Sequence, residues 1–181
     1  MECLQLRRQL GDRAGEALAL NAIGWYHILL GRPQQARIFC QQALTLFCHT
    51  GYRLGQAQAC DSLGYAEHQL GHLDHATACY ERALGILRDL GELFGQADTL
   101  ARLGDTRAAA ADLPAARDAW QQALDILENL RHAGAAQVRA KLRQHQHQPP
   151  ATMTPRYRPA WPPKSLRVGE RPSRSGPVIG R

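Results

Sequence analysis

Residues 68 to 75, HQLGHLDH, place three histidines and an aspartate in eight positions, and these residue types bind transition metals. A zinc site needs three or four such ligands to converge on the ion at about 2.0 to 2.3 Å. His68 and His72 have the i, i+4 spacing of a helical pair, but Gly71 lies between them and indicates a turn. We therefore expect His68, His72 and His75 to point in different directions from a solvated turn, with no metal bound.

Other signatures of catalysis or cofactor binding are missing from the sequence. It contains no P-loop, GxSxG, HExxH or dinucleotide fingerprint. Its five cysteines include no CxxC pair, and we expect reduced thiols that behave as small apolar side chains. The sequence therefore predicts neither an enzyme nor a bound cofactor.

The composition is that of a globular protein, with 44% hydrophobic and 21% charged residues. No stretch approaches the roughly 18 uninterrupted apolar residues of a membrane-spanning helix. The N-terminal segment MECLQLRRQL lacks the apolar centre of a signal peptide. These features predict a cytoplasmic protein with no membrane contact.

The net charge of +6 comes entirely from the C-terminal segment. Residues 149 to 181 hold seven basic residues and one acid, whereas residues 1 to 148 hold 15 of each sign. The segment also contains eight of the ten prolines and little helical pattern, so we expect a disordered tail. Basic residues beside Tyr157 and Trp161 leave an alternative open, in which the tail contacts nucleic acid through phosphates and stacked bases.

The body of the chain repeats every 40 residues, which shows first in the glycines. Apolar positions keep the same step, as in Ala36, Ala76 and Ala116. Within each copy they recur at helical spacing and are interrupted twice, which indicates two antiparallel helices per repeat. The aligned glycines are Gly11, Gly51 and Gly91; Gly15, Gly55 and Gly95; and Gly24, Gly64 and Gly104.

We predict repeats at residues 11–50, 51–90 and 91–130, with helices near 13–30, 33–49, 53–70, 73–90, 93–111 and 113–130. Residues 1–10 share the register of the end of a second helix, so we interpret them as the remainder of a preceding, truncated repeat. Residues 131–148 continue as an amphipathic capping helix, and 149–181 form the tail. Leu4, Leu6 and Leu10 would then lack a covering helix, which suggests self-association through an open N-terminal face.

The segment LGYAEHQLGHLDHATACYERAL, residues 63 to 84, resembles a tetratricopeptide repeat. It has two LG pairs seven residues apart, then Ala76, an aromatic Tyr80 and Ala83. The equivalent segment of the first repeat matches as well, and that of the third matches less because Ala111 replaces the second glycine. The resemblance implies an all-α, right-handed superhelix of antiparallel helix pairs, an α-solenoid.

The 40-residue repeat length resembles more narrowly the C-terminal repeats of actinobacterial SARP-type transcription factors and related nucleotide-binding signalling proteins. That resemblance implies a protein-interaction scaffold that is the repeat portion of a larger bacterial transcriptional or signalling regulator. In such arrays the first helix of each repeat lines a concave groove, which binds a peptide or a partner domain.

The predicted groove residues follow from turning each first helix by its period away from the packed Ile23, Leu63 and Leu103. The family's clamp for a terminal carboxylate uses basic residues, whereas this groove offers aspartates. We therefore expect a basic peptide with an aromatic residue or proline, a composition also found in the tail segment RYRPAWPPK. The groove residues are Leu18, Asn21, Trp25, Ile28, Gln58, Asp61, Tyr65, His68, Asp98, Ala101 and Asp105.

Overall fold

The structure is a computed structural model that describes residues 2 to 145, with side chains from Leu4 onward. Over this range all the regular secondary structure is helical, and the prediction of an α-solenoid of paired helices is confirmed. None of the helices it describes is long and apolar enough to span a membrane. The predictions for the tail lie outside the described residues. The helices are α1 (Glu2–Gln9), α2 (Arg13–Leu29), α3 (Pro33–Thr50), α4 (Arg53–Gln69), α5 (Leu73–Leu90), α6 (Leu93–Ala109), α7 (Leu113–Asn129) and α8 (Ala135–His145).

The predicted helix limits agree with the structure to within one or two residues. Asp12 caps α2 by accepting a hydrogen bond from the backbone N–H of Gly15 at 2.9 Å. Asp112 caps α7 in the same way through Ala115 at 3.2 Å. Pro33 begins α3, where a missing N–H leaves no bond unmade. The division into repeats at residues 11–50, 51–90 and 91–130 stays a prediction.

Tight left-handed turns separate the two helices of each pair. Gly31 and Gly71 have φ values of 66° and 79°, a region that favours glycine. At the third such turn Ala111 takes φ 62°, although it carries a Cβ. The turn is therefore imposed by the surrounding packing even where the residue type disfavours it.

Each helix packs against the next along the chain, and α2, α4 and α6 also contact one another in that order. The first helices of the pairs therefore lie side by side and form one face of the solenoid. The core lies between the layers and is filled by small residues such as Ala17, Ala57 and Ala97 with larger ones between them.

Each helix pair crosses at a glycine that faces one larger side chain. A Cβ at Gly24 would overlap Cys40 Sγ, and one at Gly64 would lie 2.8 Å from Tyr80 Cε1. At Gly104 the facing group is the indole of Trp120, which is buried. Glycine is needed at these positions because the second helix fills the space with its own side chain.

The N-terminal helix is only partly open. Leu4 is buried in the cluster that contains Ala17 and Leu20, so the prediction of an uncovered Leu4 is wrong; α1 turns this residue towards α2. Leu6 and Leu10 are 56% and 72% exposed, as expected. At the other end, α8 packs on α7 through Ala135, Val138 and Leu142, and the capping role of residues 131–148 stays a prediction.

Candidate functional site

A groove of about 500 Å³ crosses α2, α4 and α6 on the face formed by the first helices. The helical period brings one side chain per turn from each helix to this surface. The groove also includes small residues, Ala22, Ala57 and Ser62, which leave room between the larger ones. The predicted residues that line it are Leu18, Asn21, Trp25, Gln58, Asp61 and Asp98.

The other predicted groove residues lie beside or beneath this groove. Ile28 is 3% exposed and packs with Ala36 and Ala66, so its assignment to the surface is wrong. It lies one helical turn after Trp25, where α2 already faces α3 and α4. Ala101 is half-buried, and its carbonyl accepts a hydrogen bond from the Trp120 indole at 3.2 Å.

Arg102 is the central residue of the groove, although it is not among the residues predicted from the sequence. Its guanidinium carbon lies 5.2 Å from the ring centroid of Trp25 and 5.7 Å from that of Tyr65. The same guanidinium forms ion pairs with Asp61 and, at 2.7 Å, with Asp98. Cation–π contacts and ion pairs therefore hold one side chain across all three first helices.

The sequence did contain two signals for Arg102. It follows Asp98 by four residues, the spacing of a helical ion pair. The positions 40 and 80 residues earlier hold Ser62 and Ala22, whose small side chains leave the space that the guanidinium enters. The predicted groove residues occupy the registers of Leu18, Asn21, Trp25 and Ile28, and Arg102 lies in none of these.

Asp61 is the most buried acid of the groove. The pKa of Asp61 is raised to about 6, mainly because burial disfavours the charged carboxylate. The Arg102 guanidinium opposes this shift, and the nearby Asp98 adds to it. The hydroxyl of Thr99 donates a hydrogen bond to Asp61 Oδ1 at 3.0 Å. Asp61 is therefore fully ionised, and forms its ion pair with Arg102 in every molecule, only when the pH is well above this raised pKa.

Asp105 belongs to a separate cluster near the C-terminal cap. It accepts hydrogen bonds from Lys141 Nζ at 2.6 Å and from the Trp120 indole at 3.1 Å. Each of the three predicted groove aspartates is thus paired with a basic side chain of the chain itself and is not the open negative charge that we expected. They are Asp61, Asp98 and Asp105. The surface is therefore less acidic than the sequence indicated, because Arg102 and Lys141 neutralise part of its charge. The helical period of the first helices did not indicate that these two basic residues would reach the aspartates.

The histidines of HQLGHLDH separate into two groups. His68 lies near the groove, with Nδ1 2.8 Å from Thr106 Oγ1 and its ring centroid 6.5 Å from that of Tyr65. His72 and His75 lie together on another side, with ring centroids 6.0 Å apart. The prediction that all three point apart is therefore wrong for this pair.

A third potential metal ligand, Glu67, lies beside these two histidines. Its carboxylate Oε2 is 2.7 Å from His72 Nδ1, and one ligand atom from each of Glu67, His72 and His75 lies within 4.8 Å of the others. The turn at Gly71 was expected to break the alignment of His68 with His72. The same turn brings His72 to Glu67, five residues earlier.

Comparison with known proteins agrees with this architecture. A family profile described as tetratricopeptide repeat matches residues 17–47 and 57–89. Among solved structures, the crystal structure of the TPR domain of Arabidopsis FLU is similar at 19% identity with a TM-score of 0.62, covering 65% of this chain and 98% of that one. A search of curated proteins finds no significant match. At this identity the structural likeness establishes the fold.

Proposed function

We propose that this chain, in which residues 17–47 and 57–89 are tetratricopeptide repeats, binds an extended peptide segment of a partner protein in the groove across α2, α4 and α6. Tetratricopeptide repeats form a non-enzymatic scaffold class that contacts other proteins. The observation that carries the proposal is the groove itself, where apolar, aromatic and charged side chains from three helices meet.

Apolar contact comes from one end of the groove. Leu18 of α2 is 42% exposed and Phe94 of α6 is 51% exposed, and both line the same groove. Large apolar side chains that face a shared concave surface gain free energy when a ligand covers them. An aromatic residue or proline in the ligand would supply that cover.

Charge favours a basic ligand. Arg102 faces two carboxylates, so the three groups together carry one negative charge when both acids are ionised. Asp98 is the accessible acid, with 47% of its side chain exposed. A ligand arginine or lysine can pair with Asp98, and it can also replace Arg102 over the rings of Trp25 and Tyr65.

We further propose a cytoplasmic setting and a role as the repeat portion of a larger bacterial transcriptional or signalling regulator. Support comes from the 40-residue repeat length and from the resemblance of the repeats to those of SARP-type regulators. In that setting the groove would connect the regulator to a protein that carries the basic segment.

The test is a binding titration of the full chain with a labelled synthetic peptide, RYRPAWPPK, followed by fluorescence anisotropy. Phe94→Ser should weaken binding about tenfold or more, because a buried phenylalanine contributes roughly 1.5 to 3 kcal/mol. Asp98→Asn should weaken binding at low salt and have less effect at high salt.

Leu29→Ser is the matched control, since Leu29 is a similarly exposed apolar residue, at 64%, on the same helix as Leu18 but outside the groove. It should leave the affinity unchanged. Equal affinity in the Phe94→Ser variant and the unaltered chain would contradict binding in this groove.

A further inference from the structure

We propose that Glu67, His72 and His75 form a binding site for a zinc ion at the connection between α4 and α5. The three residues supply two imidazoles and a carboxylate whose ligand atoms lie within 4.8 Å of one another. This site is separate from the peptide groove, whose lining includes none of the three.

Backbone geometry brings the first two ligands together. The N–H of His72 donates to the carbonyl of Glu67 at 2.9 Å, and the N–H of Gly71 donates to that of His68 at 3.0 Å, which is the hydrogen-bond pattern of a helix ending at a left-handed glycine. This pattern places residue 72 directly over the last turn of α4. His72 Nδ1 therefore reaches the Glu67 carboxylate at 2.7 Å.

The start of α5 supplies the third ligand. His72 is the N-cap of α5 and His75 follows three residues later, in its first turn. Side chains at these two positions lie next to each other at the beginning of a helix. Tetrahedral bonds of about 2.0 to 2.1 Å require ligand atoms roughly 3.4 Å apart, so small rotations of the exposed imidazoles bring the three groups to ligand distance.

The donor set favours zinc over the hard cations. Imidazole binds zinc and its transition-metal neighbours, whereas magnesium and calcium prefer oxygen ligands alone. Two histidines with one glutamate also leave the fourth tetrahedral position to water or to another ligand. The Glu67 side chain is only 8% exposed, and a carboxylate at that depth needs a charged or hydrogen-bonding partner.

The ligand set is confined to the second repeat. The equivalent positions hold His27, Arg32 and Gln35 in the first repeat and Arg107, Asp112 and Ala115 in the third. The left-handed turn forms in all three places with these different residues. The turn therefore does not require the histidines, and they can be replaced without loss of the fold.

The surroundings leave access to the ion. His72 and His75 line an open depression, together with Arg37 and Asp74. Both imidazoles are exposed, whereas Glu67 forms the buried side of the site. A bound ion would link the end of α4 to the start of α5.

The experiment is calorimetric titration of the tag-free full chain with zinc sulfate, with magnesium sulfate as a second titrant. We expect one zinc ion per chain, a higher melting temperature with zinc, and no effect of magnesium. Cobalt(II) should give the strong visible absorption of a four-coordinate ion. Zinc binding that is absent, or that is matched by magnesium, would overturn the proposal.

Two variants and one control locate the ion. His75→Ala removes an exposed ligand and should weaken zinc binding at least about tenfold, with the helical content unchanged by circular dichroism. Glu67→Gln should weaken it as well and alter the cobalt spectrum. His49→Ala removes an exposed histidine elsewhere and should change neither measurement. Affinity unaffected by His75→Ala and Glu67→Gln would place any bound zinc at a different site and refute the assignment.

Discussion

The substitution Gly104→Ala tests whether the close crossing of paired helices depends on the absence of a side chain at this glycine. A Cβ at Gly104 would lie deep inside the van der Waals contact distance of two atoms of the Trp120 indole and 2.9 Å from its Cγ. The ring has little freedom to move, because it is 1% exposed and its N–H donates to Ala101 and Asp105. Gly104→Ala should therefore force a shift of the ring or of α6.

Two opposing contributions set the size of the effect. Overpacking of a well-filled core costs about 1 to 3 kcal/mol, and the rigid indole places this case in the upper half of that range. Alanine in place of glycine inside a helix contributes about 1 kcal/mol in the other direction. The net loss of stability at Gly104 should be about 1 to 2 kcal/mol.

Gly85 provides the matched control. It lies in α5, and a Cβ there would meet no atom within 4 Å. Gly85→Ala should therefore stabilise the chain by about 0.5 to 1 kcal/mol, through helix propensity alone. Urea denaturation followed by far-UV circular dichroism should separate the two variants by about 1.5 to 3 kcal/mol, with similar m values. Equal unfolding midpoints for the two variants would refute the packing argument.

Further variants test the third turn, the groove acid and the two termini. Ala111→Gly should stabilise the chain by about 1 kcal/mol, because Ala111 has a positive φ of 62°; chemical denaturation measures the change. The pKa of Asp61 is about 6 in the folded chain against 3.8 unfolded, so the folded state holds the extra proton and stability should fall as the pH rises from about 4 to 6. Asp61→Asn should remove that fall. Deleting residues 149–181 should strengthen binding of a basic peptide at low salt if the tail competes for the groove. Exposed Leu6 and Leu10 should cause self-association that Leu6→Ser with Leu10→Ser reduces, as measured by sedimentation.

Each of these predictions has a control variant or an outcome that contradicts it. Ala110 precedes Ala111 with a negative φ, so Ala110→Gly should destabilise the chain; stabilisation by both changes would exclude the left-handed strain. Asp125→Asn should keep the fall in stability between pH 4 and 6. Loss of the partner on tail deletion, with steep salt dependence, would favour the nucleic-acid alternative. Leu30→Ser should leave self-association unchanged, and a monomer at high concentration would contradict the N-terminal contact.

The fold could be predicted from the sequence because it depends on local signals that recur. Glycines such as Gly64 act within one helix pair, and the 40-residue period shows the same glycine in three successive pairs. The buried position of Ile28 was missed because it depends on where α3 and α4 approach α2. The helical period gives the direction in which a side chain leaves its helix. It does not show how much of the helix surface the neighbouring helices cover.

The sites could be predicted only in part, because their main contacts join different helices. Arg102 reaches Asp61 and Trp25 on α4 and α2, and no pairwise spacing in the sequence indicates this. Glu67 contacts His72 because of the left-handed turn at Gly71. The glycine of this turn could be read from the sequence, but the sequence did not indicate which side chains the turn brings together. Both cases depend on how consecutive helices are placed rather than on the pattern within one helix.

The position of Arg102 also affects how the solenoid unfolds. In a repeat array each unit contacts only its neighbours, so unfolding can begin at an end and proceed one unit at a time. Arg102 of α6 lies over Trp25 of α2 and therefore joins the first helix pair to the third across the second. Unfolding of either end pair breaks this contact, and the pair at the opposite end then loses a stabilising interaction. The three pairs should consequently show more cooperative unfolding than nearest-neighbour coupling alone provides.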